Sequence, residues 1–513
     1  MRLMPLRICT VLGVLLLLFS FSGCNNISII PTLPNEGNVP ATPDDATSPT
    51  ATEPTVPNNT VEQLATIVTE ENISDLENYP NLKQLDLSGS TCYAAISNYI
   101  SKHPEVSVTY TVTLGTYVAP HDVTELTLEP GSYEASTLFD NLAYLPNLTS
   151  VHLPKTTLSG EEYAALIQRY SHIGLSHTVE FLGKEYASDI TELNLSALQP
   201  NQVAEAARGL SMLPNLTYVE LMPAGGTSPL SKADVKALMD AAPNSAFHYT
   251  FYFYGKSIST TDERIEYKNV HIGNEGEANI REALDILRGC KYFKLEKCGI
   301  DNEVMASIRA DYPNTKVVWR VYFGNSTYLT DVVALRSVYG VEDHNCEAMK
   351  YCTDVKYMDI GHNDTLTDIS FISYMPDLEI CIISGVVMTD LTPFANCKKL
   401  EWLEMASCYE VTDLSPLASC ESLRFLNISY TKVTSLEPLD DLPLERFVYL
   451  NPKASYDEQD IFKVLHPDCW TRFRGTQPYG IVWRYNDEGY TYFDYYKKIR
   501  EIFNYDGIAF NNG

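Results

Sequence analysis

The sequence predicts an α/β solenoid: a curved parallel sheet with helices or 3₁₀ turns on its convex side, preceded by a disordered N-terminal tether. Three observations carry this. Between Tyr351 and Pro452 an apolar pattern returns with a period of about 22 residues, enough for one strand and one turn per coil. Its first position is Val355, Leu378, Leu400, Leu423 and Leu444; its second Met358, Cys381, Leu403, Leu426 and Phe447; its third Ile360, Ile383, Met405, Ile428 and Tyr449. A longer, less regular unit recurs through residues 61–345, and the first sixty residues contain almost no core formers outside one short apolar run. One such strand cannot bury its apolar face alone, whereas stacked copies bury it against one another.

Taken in order, the chain opens with a basic stretch containing Arg2 and Arg7, followed by an apolar run over 8–21. A helix needs about 20 residues to cross a bilayer, so this run reads as a secretory signal. It ends in Phe21-Ser-Gly-Cys24, which resembles the bacterial lipoprotein signal, with Phe21 where Leu is usual. The resemblance implies a leader over 1–23 and a Cys24 bearing two or three acyl chains, palmitate among them. Such chains suffice for stable attachment to the outer face of the cell membrane. Residues 24–60 are rich in Pro, Thr, Asn and Asp and cannot bury enough surface to fold. Extended at about 3.1 Å per residue, such a tether spans on the order of 100 Å. The net charge is −29 before the leader's two arginines are lost. That acidity argues against nucleic acid or anionic lipid as a charge-driven partner.

Residues 61–345 repeat an anchor: Tyr79-Pro-Asn-Leu, Leu145-Pro-Asn-Leu, Leu213-Pro-Asn-Leu and Leu287-Arg-Gly-Cys. Each anchor precedes a helical pattern, over 94–100, 161–170, 232–241 and 303–310, and then an alternating strand closed by Gly115, Gly183, Gly255 or Gly324. Halfway between anchors lie the strand-like Val123-Thr-Glu-Leu-Thr-Leu and Ile190-Thr-Glu-Leu-Asn-Leu. Each long unit therefore reads as two repeats, one carrying an inserted strand, with the pattern weakest at 260–276 and 328–346.

Residues 346–452 are the short repeats. Behind each strand stand Leu366-Thr-Asp-Ile-Ser, Met388-Thr-Asp-Leu-Thr-Pro, Val411-Thr-Asp-Leu-Ser-Pro and Val433-Thr-Ser-Leu-Glu-Pro. Together the two patterns resemble leucine-rich repeats of the internalin type over about a hundred residues. The resemblance implies a leucine-rich-repeat solenoid used for binding. Asp368, Asp390 and Asp413 suit the capping of a turn, and a stacked carboxylate row holding a metal is the competing reading. Ten of the twelve cysteines lie beyond the leader and the lipid site. Most fall at repeat-defined positions and read as buried free thiols, with a Cys397–Cys420 bridge as the alternative. No zinc-ligand spacing occurs, and no metal or cofactor is expected.

Residues 453–513 read as a C-terminal cap: a helix over 457–465, a strand at Tyr479-Gly-Ile-Val-Trp-Arg-Tyr and a helix over 492–504. No nucleophile, phosphate-loop or metalloprotease motif occurs. His152, His172 and His177 lie near one another in sequence without a diagnostic partner spacing. The expectation is a binding protein and not an enzyme.

The residue before the second apolar position should face outward on the concave sheet. It is Gln84, Glu125, Ser150 and Glu192 early in the chain, then Tyr218, Tyr292, Tyr357, Ile380, Trp402 and Phe425, with Ile382 two residues beyond Ile380. Rows of exposed apolar side chains mark binding sites, so these seven residues are the expected ligand stripe, centred on Tyr357, Trp402 and Phe425. A C-terminal segment folded over them would make the row core instead. The function expected is adhesion or recognition of a protein or glycan at the cell surface, against the alternative of a spacer lipoprotein with no specific ligand.

Overall fold

The computed structural model describes residues 58–486 and 491–507. The leader, Cys24 and the tether as far as residue 57 lie outside the described residues. From Gln63 onward the chain winds as a leucine-rich-repeat solenoid. Among the described residues the strands of consecutive coils pair in parallel, and the strands of the hairpins pair antiparallel.

The anchors each lead into a short strand: Gln84–Asp86, Ser150–Leu153, Tyr218–Glu220 and Tyr292–Glu296. The helices that follow are Tyr93–Lys102, Gly160–Arg169, Lys232–Ala241 and Asn302–Asp311. Ser159 and Ser231 start two of them with reciprocal capping boxes to Glu162 and Asp234. The strand expected as an insertion is instead a third coil of the solenoid. Gly174–Phe181 pairs in parallel with Ser150–Leu153, and its far end then turns back on Lys184–Ala187. Four such hairpins recur, and Gly115, Gly183, Gly255 and Gly324 close them with φ between 52° and 107°. These backbones favour a residue without Cβ.

Two features were not foreseen. The intervening repeats carry helices of their own, at Ala135–Asn141, Val203–Leu210 and Glu277–Ile286. They are short and sit against neighbouring helices, so tertiary contact rather than a strong periodic pattern holds them. Gly209 shows the closeness, since a Cβ there would stand 2.3 Å from the Phe181 ring. The weak region near 260–276 holds the missing strand, Arg264–Lys268, in register with Tyr292–Glu296.

From Ala334 to Arg472 seven strands form one uninterrupted parallel sheet. The three apolar positions of the short repeats point inward and are buried from Val355 to Tyr449. After each strand the chain turns through a left-handed residue: His362, Gly385, Ser407 and Tyr430, with φ of 63°, 81°, 63° and 66°. Three of the four are not glycine. Each of their N–H groups donates to the next coil, to the carbonyls of Ser384, Ala406, Ser429 and Leu450, which sets a continuous hydrogen-bond ladder against the backbone strain. The Thr-Asp positions are caps. Asp368, Asp390 and Asp413 each accept the N–H two residues ahead at 2.8 Å. Among the described residues no group of three His, Cys, Asp or Glu side chains is arranged to hold a metal.

Asn363 occupies the buried turn position of its repeat. Its Nδ2 donates to the carbonyls of Ser337 and Ile360, each at 2.8 Å, and its Oδ1 accepts the Val341 N–H at 2.9 Å. Asn363→Ala leaves that N–H without its acceptor and should cost about 2–3 kcal/mol, read as a lower guanidinium midpoint. The ten cysteines from Cys92 to Cys469 carry free thiols, eight of them buried. Burial pushes Cys397, Cys408 and Cys420 up to about 12. Alkylation without reductant should label half-buried Cys92 first in the native protein and all ten after denaturation, as read by mass spectrometry.

Candidate binding surface

The seven-stranded sheet places the expected stripe in a single column. Tyr357, Ile380, Trp402, Phe425, Arg446 and Trp470 are direct partners across successive strands. A second outward column runs Asp359, Ile382, Glu404, Asn427 and Val448. The outward direction is as expected, but the exposure is not. Ile380, Ile382, Trp402 and Phe425 are buried, Trp402 at 0 % exposure, and Tyr357 is half-buried.

The cover is the C-terminal segment. Tyr456–Leu465 and Trp470–Arg472 add one more coil to the solenoid. The chain then turns back along the concave face as an arm, described over residues 480–486 and 491–507, instead of closing the open end as a cap. The stretch expected as a strand there is a 3₁₀ turn, Gly480–Val482, followed by the helix Asp494–Ile502. Trp402 meets Trp483 with ring centroids 4.3 Å apart and lies within 2° of parallel to Tyr495 at 5.7 Å. Phe425 meets Tyr495 at 4.5 Å. The helix sets Tyr496, Ile499 and Phe503 against the sheet, all buried, at the i, i+3, i+7 spacing of one helical face.

Two buried carboxylates on the sheet hold the arm, with half-buried Glu401 accepting the Tyr495 hydroxyl beside them. Glu404, fully buried, accepts the Trp483 indole N–H at 2.6 Å and pairs with Arg484. Asp359 accepts the Tyr505 hydroxyl at 2.6 Å and the Gly361 N–H at 3.2 Å. Burial pushes the Asp359 carboxyl above its ordinary range, against the opposing pull of those two hydrogen bonds and of Arg336. Burial, with Asp359 adjacent, likewise pushes the Tyr505 hydroxyl upward. Short sequence patterns gave no warning of these bonds, because their partners lie 79 and 146 residues apart.

The concave face of the long units is different. Tyr218 and Tyr292 are half-buried at its surface. The Arg264 guanidinium lies 3.8 Å from the centroid of the Tyr292 ring. Lys294 pairs with Glu266 at 2.7 Å, and His248 with Glu220 at 2.9 Å. Glu296 is buried between Lys268 and Arg320, at 3.1 and 3.0 Å. Burial opposes its ionisation, yet the two cations hold its pKa below the usual range. Tyr252 and Tyr322, 77 % and 58 % exposed, stand on the hairpins at the margin of this surface, Tyr322 beside Asn302 and the 3₁₀ turn Glu347–Tyr351. Alternating tyrosine and both signs of charge suit non-covalent recognition. The three histidines expected near one another have separate roles. His152 bonds Ser176 at 2.9 Å, His177 is buried on the Met212 carbonyl at 2.6 Å, and His172 packs edge-on to Tyr170.

No family model matches the chain, and no curated protein matches it. Among solved structures it is similar to an internalin of Listeria monocytogenes at 14 % identity, covering 82 % of this chain and 83 % of that one, with a TM-score of 0.23. A leucine-rich-repeat protein of Leptospira interrogans matches at 14 % identity over 79 % and 93 %, with a TM-score of 0.27. A Listeria monocytogenes internalin domain whose title notes a cysteine ladder matches at 11 % over 70 % and 55 %, with a TM-score of 0.24. Among the described residues no helix is long and apolar enough to cross a membrane.

Because Trp402 is an anchor of the arm, Trp402→Ala should remove about 3–5 kcal/mol from the association of arm and coils, seen as a lower calorimetric midpoint. Tyr322→Ala, at an exposed position, should stay within about 0.5 kcal/mol of the parent.

Proposed function

We propose that this is a lipid-anchored recognition protein, displayed on its tether at the bacterial cell surface, that binds a protein ligand on the concave face of its long units. The observation that carries the reading is the contrast between the two halves of the sheet. The short-repeat half is closed by the chain's own arm, whereas the half from Tyr218 to Tyr322 is open. Its aromatic and charged side chains are already fixed by cation–π and ionic contacts. Side chains ordered before binding lose less entropy on complex formation. Tyr218 and Tyr292 of the expected stripe belong to this site, joined by Arg264, His248, Tyr252 and Tyr322. Cys24 supplies the attachment, and residues 25–57 the reach.

The anchoring is tested by Cys24→Ala, which should move the protein from the membrane fraction to the medium or stall its maturation; equal membrane retention would remove the lipoprotein reading. The site is tested by cross-linking on live cells with a photoreactive residue at position 322, followed by mass spectrometry. A defined protein adduct is expected, and Arg264→Glu with Tyr292→Ala should abolish it at an unchanged melting temperature. A photoreactive residue at position 461, on the last convex helix, should give none. Absence of any adduct at 322 would leave the spacer reading in its place.

A further inference from the structure

We propose that the concave face of the short repeats is a groove for an amphipathic, arginine-bearing helical segment of a partner protein, and that the arm described over residues 480–486 and 491–507 is its exchangeable resident in cis. This groove is separate from the open face of the long units and does not depend on that face binding anything.

The solenoid is complete without the arm. Its core residues beneath the sheet, such as Met358, Cys381, Leu403 and Leu426, form one apolar cluster. The residues joining arm to sheet, among them Ile380, Trp402, Phe425, Trp483, Ile499 and Phe503, form another. The repeat itself demands nothing apolar at the outward positions, since earlier coils carry Gln84, Glu125 and Glu192 there. A row of Ile, Trp and Phe on that face is therefore chosen for whatever lies upon it.

The chemistry of the occupant can be read from what the groove presents. Glu404, Asp359 and Glu401 are acceptors, and each receives an arm donor: Trp483 with Arg484, Tyr505, and Tyr495 at 2.9 Å. A buried carboxylate is tolerated only with such donors in place. The groove thus selects a segment with a cation and aromatic N–H or O–H groups beside an apolar helical face at i, i+3, i+7, the helix-in-groove mode of peptide recognition.

The resident does not fill the site. A cleft of about 460 Å³ remains between arm and sheet, lined in part by Arg336, Tyr339, Asp359, Glu404, Tyr496 and Arg500. This cleft opens to solvent, so along this edge the arm and the sheet are only partly in contact. Residues 473–479 join the arm to the last coil and contain Gly475 in a left-handed backbone at φ 146°. A tethered occupant of this kind gives way to a competitor that fits better or is present above the tether's effective concentration.

Two measurements on the full chain test this. In hydrogen exchange under rising guanidinium, amides of the Asp494–Ile502 helix should open at lower denaturant than those of strands Trp402–Glu404 and Phe425–Asn427. Their opening only together with the strands would make the arm part of the folding unit and overturn the proposal. In the second, a fluorescent synthetic peptide of residues 479–507 is titrated into the parent and into Trp483→Ala/Arg484→Ala, which loosens the resident and leaves the groove intact. The variant should bind the peptide at least tenfold more tightly than the parent, and adding Glu404→Gln should weaken that binding at least tenfold. Equal, absent or Glu404-independent binding would overturn the proposal. So would elution of the parent as a dimer that the arm substitutions dissociate, because the groove would then hold a second copy's arm.

Discussion

A parallel sheet made of three-residue strands has two faces, and the turns of its own repeat cover only one of them. Much of the organisation of this molecule follows from how the second face is treated. Beneath the sheet, each coil contributes three inward side chains and a row of turn residues, so burial accumulates with every repeat. Above it, nothing in the repeat supplies a cover. The long units leave the face polar and open. The short repeats make it apolar and lay the C-terminal arm across it.

The two solutions place different demands on charged groups. On the open face, carboxylates and cations interleave along and across strands, as in Lys294 with Glu266 and Glu296 with Lys268 and Arg320. Lys268 and Glu266 stay in contact with water, so their pairs contribute modestly, whereas Glu296 and Arg320 are nearly withdrawn from it and each depends on the other as partner. Under the arm, Glu404 and Asp359 are removed from water. Without Arg484, Trp483 and Tyr505 they would oppose docking, so the arm's polar groups are as necessary to the closed face as its aromatic ones.

The repeat units also differ in how their turns are held. In the short repeats, side-chain caps and one left-handed residue per coil suffice, and 3₁₀ turns pack on the convex side. The long units use α-helices and project hairpins, and those hairpins carry Tyr252 and Tyr322 away from the regular sheet. The added length enlarges the surface that can meet another molecule while the inward pattern stays the same.

The periodic apolar positions from Val355 to Tyr449, the Thr-Asp caps, the Pro-Asn-Leu anchors and the direction of the Tyr357–Phe425 column were all legible in the sequence. Each rests on contacts within one repeat or between neighbouring coils, so the same spacing that writes the pattern also makes the contact. The short helices such as Val203–Leu210, the pairing of Gly174–Phe181 with the sheet and the fate of the aromatic column were not legible. An outward tryptophan looks the same in a sequence whether water or an indole lies on it. Only the return of Trp483 and Tyr495 onto Trp402, across some eighty to ninety residues of chain, decided between site and core. Hydrophobic burial has no direction and leaves no local signature, so which surfaces remain open to a partner was settled by tertiary structure alone.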